Sequence, residues 1–133
     1  MADVIIVDAS CLYEVLVDTP RSESIRTRMG QDSEQAAPHV VDIEVFSLIR
    51  RDFLSGSLDS TAAALAVADL RMWPGERYGH RGLLSRAWEL RENVRGWDAA
   101  YVALAEALDA TLITLDGRLA RAEGPTCRIE LIA

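Results

Sequence analysis

Asp8, Glu44, Asp98 and Asp116 share one kind of address in the chain. Asp8 and Asp116 follow short apolar runs, Val4 to Val7 and Ala110 to Thr114, while Glu44 and Asp98 each stand near the start of a segment with helical pattern. In a parallel α/β sheet, strand ends and the starts of the following helices lie along one edge, where such folds place their ligand sites. Asp8, Glu44 and Asp116 can converge there, and the helix opened by Asp98 leads into the strand that ends before Asp116. Carboxylates held together raise one another's pKa unless a cation sits between them. Oxygen-only ligands suit a hard ion such as Mg²⁺ or Mn²⁺. One or two such ions can activate a water and stabilise the oxyanions of a phosphodiester displacement. That chemistry needs no lysine, cysteine or histidine nucleophile. Each acid also has a structural explanation on its own: Glu44 and Asp98 favour a helix dipole, and Asp8 and Asp116 suit turns. Four coincidences of this kind are much less expected than one.

The remaining polar residues carry weaker signals. Ser10 and Thr114 read first as capping or turn residues, and second as supports for the acids or contacts to a phosphate. His39 and His80 share no metal-like spacing and read as structural or surface residues. Trp73, Trp88 and Trp97 read as core rather than as platforms for stacking bases.

Bulk composition bounds the answer. The 133 residues suit one domain, residues 1–133, and 50% hydrophobic with 26% charged content is that of a soluble globular protein. No apolar run approaches the roughly 20 residues of a membrane span. Asp3 without a basic region argues against a secretory signal. Cys11 and Cys127 form neither a disulfide framework nor a metal pattern, and read as small buried hydrophobes in a reducing cytoplasm. A net charge of −7 argues against a broad basic surface for nucleic acid, yet residues 50–95 hold 8 arginines against 6 acids. All 14 basic residues are arginine. Absence of lysine excludes a P-loop and Schiff-base chemistry. A biased genome is the first explanation of it, and arginine's fit to phosphate the second.

The elements that must position the acids follow from periodicity. Val4 to Val7 is apolar on both faces and β-branched throughout, which predicts a strand buried in a parallel sheet. Ser10 to Val17 predicts a helix capped by Ser10. Thr19 and Pro20 read as N-cap and first helical residue of a second helix through Met29. Gly30 to Pro38 reads as a loop, and His39 to Val41 as a brief strand. Asp42 opens a helix to Leu54 whose apolar face holds Ile43, Val45, Phe46, Leu48, Ile49 and Phe53, ended by Ser55 and Gly56. Ser60 caps a helix over Thr61 to Arg71. A poor short strand reaches Tyr78. Arg81 to Glu92 predicts a helix with Leu83, Leu84, Ala87, Trp88 and Leu90 inward. Ala99 to Leu108 is nearly apolar all round, hence deeply packed. Ala110 to Thr114 predicts a second buried strand, Gly117 to Glu123 a short helix, and Arg128 to Ile132 an edge strand. Strands alternating with helices argue for one parallel α/β domain.

Order and context of these acids resemble a known family. The matching pieces are Val7-Asp8-Ala9-Ser10, Asp42-Ile43-Glu44-Val45, the run from His80 to Asn93, the run from Trp97 through Asp98 to Glu106, and Thr114-Leu115-Asp116-Gly117-Arg118-Leu119-Ala120. Together they look like a PIN domain, specifically a VapC-type ribonuclease toxin, along the whole chain. One departure is Trp97, where tyrosine is more usual before the aspartate. The resemblance implies a single PIN domain with a compact parallel sheet flanked by helices, a Rossmann-like three-layer sandwich. It implies that Asp8, Glu44, Asp98 and Asp116 bind Mg²⁺, with Mn²⁺ able to substitute, for endonucleolytic RNA cleavage by metal-activated water. It also implies a cytoplasmic homodimer held inactive by a cognate VapB-type antitoxin, whose C-terminal peptide wraps the active groove. Arg86, Arg91 and Arg95 become candidates for touching RNA, or else belong to a solvated helix face. Metal ions would then offset the acids, and RNA would meet those ions plus the arginines of residues 50–95. A receiver-type switch would need a lysine, and a dinucleotide-binding module a glycine-rich turn after the first strand; neither is present. A non-catalytic PIN-like scaffold is the remaining alternative.

Overall fold

β1 (Val4–Val7) lies at the centre of a five-stranded sheet in the computed structural model, which describes residues 3–31 and 34–132. Ile5, Ile6 and Val7 are fully buried, as a strand covered on both faces requires. From β1 the chain passes through α1 (Ala9–Leu16) and α2 (Ser22–Met29) to β2 (Glu34–Pro38). It continues through α3 (Val40–Leu54) and α4 (Ser60–Met72) to β3 (Glu76–Tyr78). A 3-10 turn (Arg81–Leu83), α5 (Leu84–Glu89) and α6 (Gly96–Ala107) bring it back to β4 (Thr111–Thr114), beyond β1. The short α7 (Gly117–Ala120) then leads to β5 (Ile129–Leu131).

Strand order is β3-β2-β1-β4-β5, and every neighbouring pair is parallel. Strand order runs outward from β1 in both directions, so right-handed crossovers put α1 to α4 on one face and α5 with α6 on the other. α1, α3 and α4 pack on one another, and α6 crosses β1, β2 and β4. The result is the three-layer α/β fold expected. Its direction reverses between β1 and β4, and the crevice at such a switch point is where the fold holds ligands. Buried on almost every side, α6 contributes Ala99, Tyr101, Val102, Ala103, Leu104 and Ala105 to the core.

Several local expectations are corrected. β2 is Glu34 to Pro38, read from sequence as loop, whereas His39 to Val41 forms no strand. Its residues have little intrinsic strand preference; pairing to β1 and β3 on either side imposes the conformation, and Ala36 and Ala37 are small enough to be buried there. α3 therefore starts at Val40 rather than Asp42. Its first turn is capped from outside, because the Val40 N–H donates to His80 Nε2 at 2.9 Å. That bond gives His80 the structural role expected of it. α1 and α4 are capped by carboxylates, Asp8 and Asp59, not by Ser10 and Ser60. α2 begins at Ser22, after Thr19 and Pro20 have made a turn. α5 stops at Glu89 and α7 at Ala120, both short of the patterns that suggested them.

Burial separates true core stripes from apolar residues that face water. Val41, Val45 and Ile49, spaced four apart, are the buried side of α3, while Ile43, Phe46 and Phe53 are exposed. Leu84 and Trp88 point outward, against expectation, and Trp97 is 57% exposed; of the three tryptophans only Trp73 is core. Cys11 is buried, Cys127 only partly, and both are free thiols. Among the described residues no helix is long and apolar enough to cross a membrane.

Candidate active site

The carboxyl edge of the sheet gathers all four acids. Asp8 ends β1 and caps α1: its Oδ1 accepts from the Cys11 N–H at 2.9 Å and from the Ser10 hydroxyl at 2.8 Å. Asp116 follows β4 and caps α7, its Oδ1 accepting from the Arg118 N–H at 2.9 Å. Its own N–H donates to Thr114 Oγ1 at 3.0 Å. Glu44 projects from the first turns of α3, and its Oε1 accepts from the Tyr101 hydroxyl at 2.7 Å. Asp98 stands in the first turn of α6. All four line one open cleft of about 470 Å³, together with Ser10, Ser47, Arg95, Trp97 and Tyr101.

Electrostatics show what this cleft lacks. Burial pushes the Asp8 carboxyl above its ordinary range, and hydrogen bonds from Thr114, Cys11 and Ser10 pull only part of the way back. Burial also raises Glu44, opposed by the Tyr101 hydrogen bond and reinforced by the charges of Asp98 and Asp8. Asp98 is raised by burial, then by Asp8 and Asp116, with Arg95 opposing. Three carboxyls held up by burial, two of them also by neighbouring carboxylates, mark a site short of positive charge.

A hard cation would supply it. The donor set is all oxygen and the cleft is open to water. Among the described residues, no group of three His, Cys, Asp or Glu side chains is placed to hold a metal ion by itself. Mg²⁺ does not need one: it keeps several waters and is held through one or two carboxylates. These residues fit a hydrated hard ion.

The supporting residues divide differently from the sequence reading. Ser10 holds Asp8, and Thr114, fully buried, steadies Asp116 from beneath and so is no phosphate contact. Arg86 is committed elsewhere, with Nε 2.6 Å from Glu106 Oε1 and further bonds to Glu89 and the Gly124 carbonyl. Arg91 lies over the Trp88 ring, 4.3 Å from its centroid, outside the cleft. Arg95 alone of the three lines the cleft. Tyr101 was missed. It stands three residues after Asp98, hence on the same side of α6, and Ser47 is related to Glu44 in the same way.

Comparison with known proteins adds an independent view. Residues 5–125 match the model of the PIN domain. The chain is 38% identical to Ribonuclease VapC1 of Mycobacterium tuberculosis over 131 residues, covering 98% of both chains. It is 34% identical to Ribonuclease VapC12 of the same organism over 129 residues, covering 97% of this chain and 99% of that one. Among solved structures, the fold resembles that in the crystal structure of VapBC2 from Rickettsia felis bound to a DNA fragment from their promoter. There the TM-score is 0.68 at 13% identity, covering 96% of this chain and 98% of the other. The structure of PAE2754 from Pyrobaculum aerophilum is similar with a TM-score of 0.67 at 21% identity, covering 97% and 84% of the respective chains.

Proposed function

The chain belongs to the PIN-domain family, among its VapC-type members, and on that premise we propose that it is a single-domain, divalent-metal-dependent endoribonuclease toxin neutralised by a cognate VapB-type antitoxin. The observation that carries the reading is the convergence of Asp8, Glu44, Asp98 and Asp116 on one cleft, three of them raised above their ordinary pKa range. Mg²⁺, or Mn²⁺ in its place, would be held among these four carboxylates, some directly and the others through its waters. When bound, it supplies the positive charge for the phosphodiester oxyanions and activates the attacking water. The chain's own residues do the positioning. Ser10 and the Cys11 N–H fix Asp8 through Oδ1, the Arg118 N–H fixes Asp116, and Tyr101 turns Glu44 through Oε1. Arg95 lines the same cleft and offsets part of the charge around Asp98.

The partners are RNA, the antitoxin and a second copy of the chain, acting in the cytoplasm. Exposed Ile43, Phe46, Phe53 and Leu54 on α3, with Leu65 and Met72 on α4, support a protein partner on that face.

Purified, antitoxin-free chain is expected to cut RNA into discrete fragments with Mg²⁺ or Mn²⁺ and to stop in EDTA. No cleavage of several structured RNAs, together with no Mn²⁺ binding by calorimetry, would sink the proposal. Tyr101→Phe keeps the packing of a ring that is 1% exposed and deletes one hydrogen bond. Loss of a group that orients a metal ligand typically lowers affinity 10- to 100-fold, so Mn²⁺ binding should weaken by about tenfold. Because Tyr101 opposes the upward shift of Glu44, the pH midpoint of Mn²⁺ binding should also move up in this variant. Unchanged Mn²⁺ affinity and midpoint would show that the hydroxyl only fills space.

A further inference from the structure

Beside the acid cleft lies a second, smaller pocket of about 180 Å³, and the two share Arg95, Asp98 and Asp116. Asn93 and Arg118 complete its polar lining. Arg95 and Arg118 are exposed, and neither side chain makes a hydrogen bond or ion pair among the described residues. Arg51 and Arg21, at a neighbouring pocket that shares Ser10, Leu48 and Asp116 with the cleft, contrast with them: Asp52 takes Arg51, with Nε 3.0 Å from Oδ1, and Glu14 Oε1 lies 3.9 Å from Arg21 Nη1. Two guanidinium groups and the Asn93 amide facing one small cavity are phosphate-binding chemistry. Two carboxylates in the same wall make the pocket neutral as it stands. It becomes net positive once a cation neutralises Asp98 and Asp116.

From this arrangement we infer that the Arg95–Arg118 pocket is a subsite for the backbone phosphate next to the scissile one, and that it takes the phosphate only after a divalent cation occupies the acids. The inference rests on the function proposed above. It orders binding, metal first and RNA second.

Stopped-flow fluorescence anisotropy of a labelled oligoribonucleotide tests it, with wild type, Arg95→Gln, Arg118→Gln and Arg51→Gln, each in Mn²⁺ and in EDTA. With Mn²⁺, Arg95→Gln and Arg118→Gln should each bind about tenfold more weakly and lower the salt slope of binding by about one, while Arg51→Gln binds as wild type does. In EDTA all four should bind equally weakly. Calorimetry should show Mn²⁺ binding retained in both arginine variants. Wild-type RNA affinity in these two variants with Mn²⁺ would overturn the subsite, as would an equal loss in EDTA, which would mark a metal-independent surface. If wild type binds no RNA even with Mn²⁺, the nuclease reading itself fails, and the subsite with it.

Discussion

Asp8→Asn is expected to abolish RNA cleavage while making the metal-free fold more stable. Loss of a charged metal ligand should lower cleavage at least about 100-fold, since removing even a supporting group at such sites costs tenfold or more. The gain in stability has a separate cause. Asp8 is buried, and burial holds its folded pKa above the unfolded value. The folded state then binds the proton more readily than the unfolded chain, so at neutral pH the ionised carboxylate subtracts stability, and that penalty fades as pH falls through the folded pKa. Asparagine is neutral and nearly isosteric, and its Oδ1 still accepts from Ser10 and the Cys11 N–H. Metal-free Asp8→Asn should therefore be more stable than wild type near pH 7, with the gap closing on acidification. Glu44 and Asp98 act in the same direction, whereas Asp18, Asp52 and Glu106 are lowered and act oppositely. For that reason the wild-type-minus-variant difference is the readout, followed by thermal unfolding in EDTA across pH. Saturating Mg²⁺ should reverse the order, because ligand binding to the folded state adds stability, about 2.7 kcal/mol at 100 times Kd. A variant less stable than wild type at every pH would contradict the burial penalty assigned to the Asp8 carboxylate.

Arg77→Ala should destabilise the protein by about 3 kcal/mol without touching the cleft. The guanidinium lies largely buried where α4 ends, β3 begins and α3 passes. Its Nη1 donates to the Trp73 carbonyl at 2.7 Å and the Gly75 carbonyl at 3.0 Å; Nη2 donates to the Leu70 carbonyl at 2.8 Å and to Asp42 Oδ1 at 2.9 Å. The group also stacks over the Trp73 ring, 4.8 Å from its centroid. At the C-terminus of α4 the Leu70 carbonyl accepts from the Trp73 N–H at 3.3 Å, and Arg77, bonding the Leu70 and Trp73 carbonyls as well, caps that helix and favours its dipole. Alanine leaves the Trp73 and Gly75 carbonyls and Asp42 without this donor, and the Leu70 carbonyl with the Trp73 N–H at 3.3 Å, each lost bond costing about 1 kcal/mol or more. Lysine cannot reproduce the planar fork and should recover less than half of the loss. Urea unfolding with an unchanged m-value measures this, and a loss below about 1 kcal/mol would contradict it. Cleavage by the folded fraction should survive, since Arg77 does not line the cleft, Asp8, Asp98 and Asp116 stand on other elements, and Glu44, two residues after Asp42 on α3, keeps its hydrogen bond from the Tyr101 hydroxyl.

How far the chain could be read before it was seen depended on where each conformation is decided. β1 and β4 were legible because burial on both faces demands continuous apolar residues, and Val4 to Val7 and Thr111 to Ile113 carry them. β2 was not, because Glu34-Gln35-Ala36-Ala37-Pro38 becomes a strand only through its two neighbours. The same holds at helix starts: Val40 is capped by His80, which lies 40 residues away. The acids' addresses were legible because each adjoins a strand end or helix start, and the parallel topology carries such positions to one edge. Surroundings of the arginines were not. Arg86 lies on a helix face beside Arg91 and Arg95 in sequence, yet Glu106 and the Gly124 carbonyl claim it in space. Trp88 and Trp97 read as core, but both are exposed: Trp88 sits on α5, which buries none of its residues, and Trp97 on the first turn of α6.

Diffraction from crystals soaked in Mn²⁺, collected at the manganese absorption edge, tests the central claim most directly. One or two anomalous peaks are expected in the cleft, with oxygens of at least two of Asp8, Glu44, Asp98 and Asp116 within coordination distance, about 2.1 Å for an ion of this kind. A cleft without an anomalous peak at saturating Mn²⁺, in protein that still cuts RNA, would contradict the assignment of these four acids as the metal site.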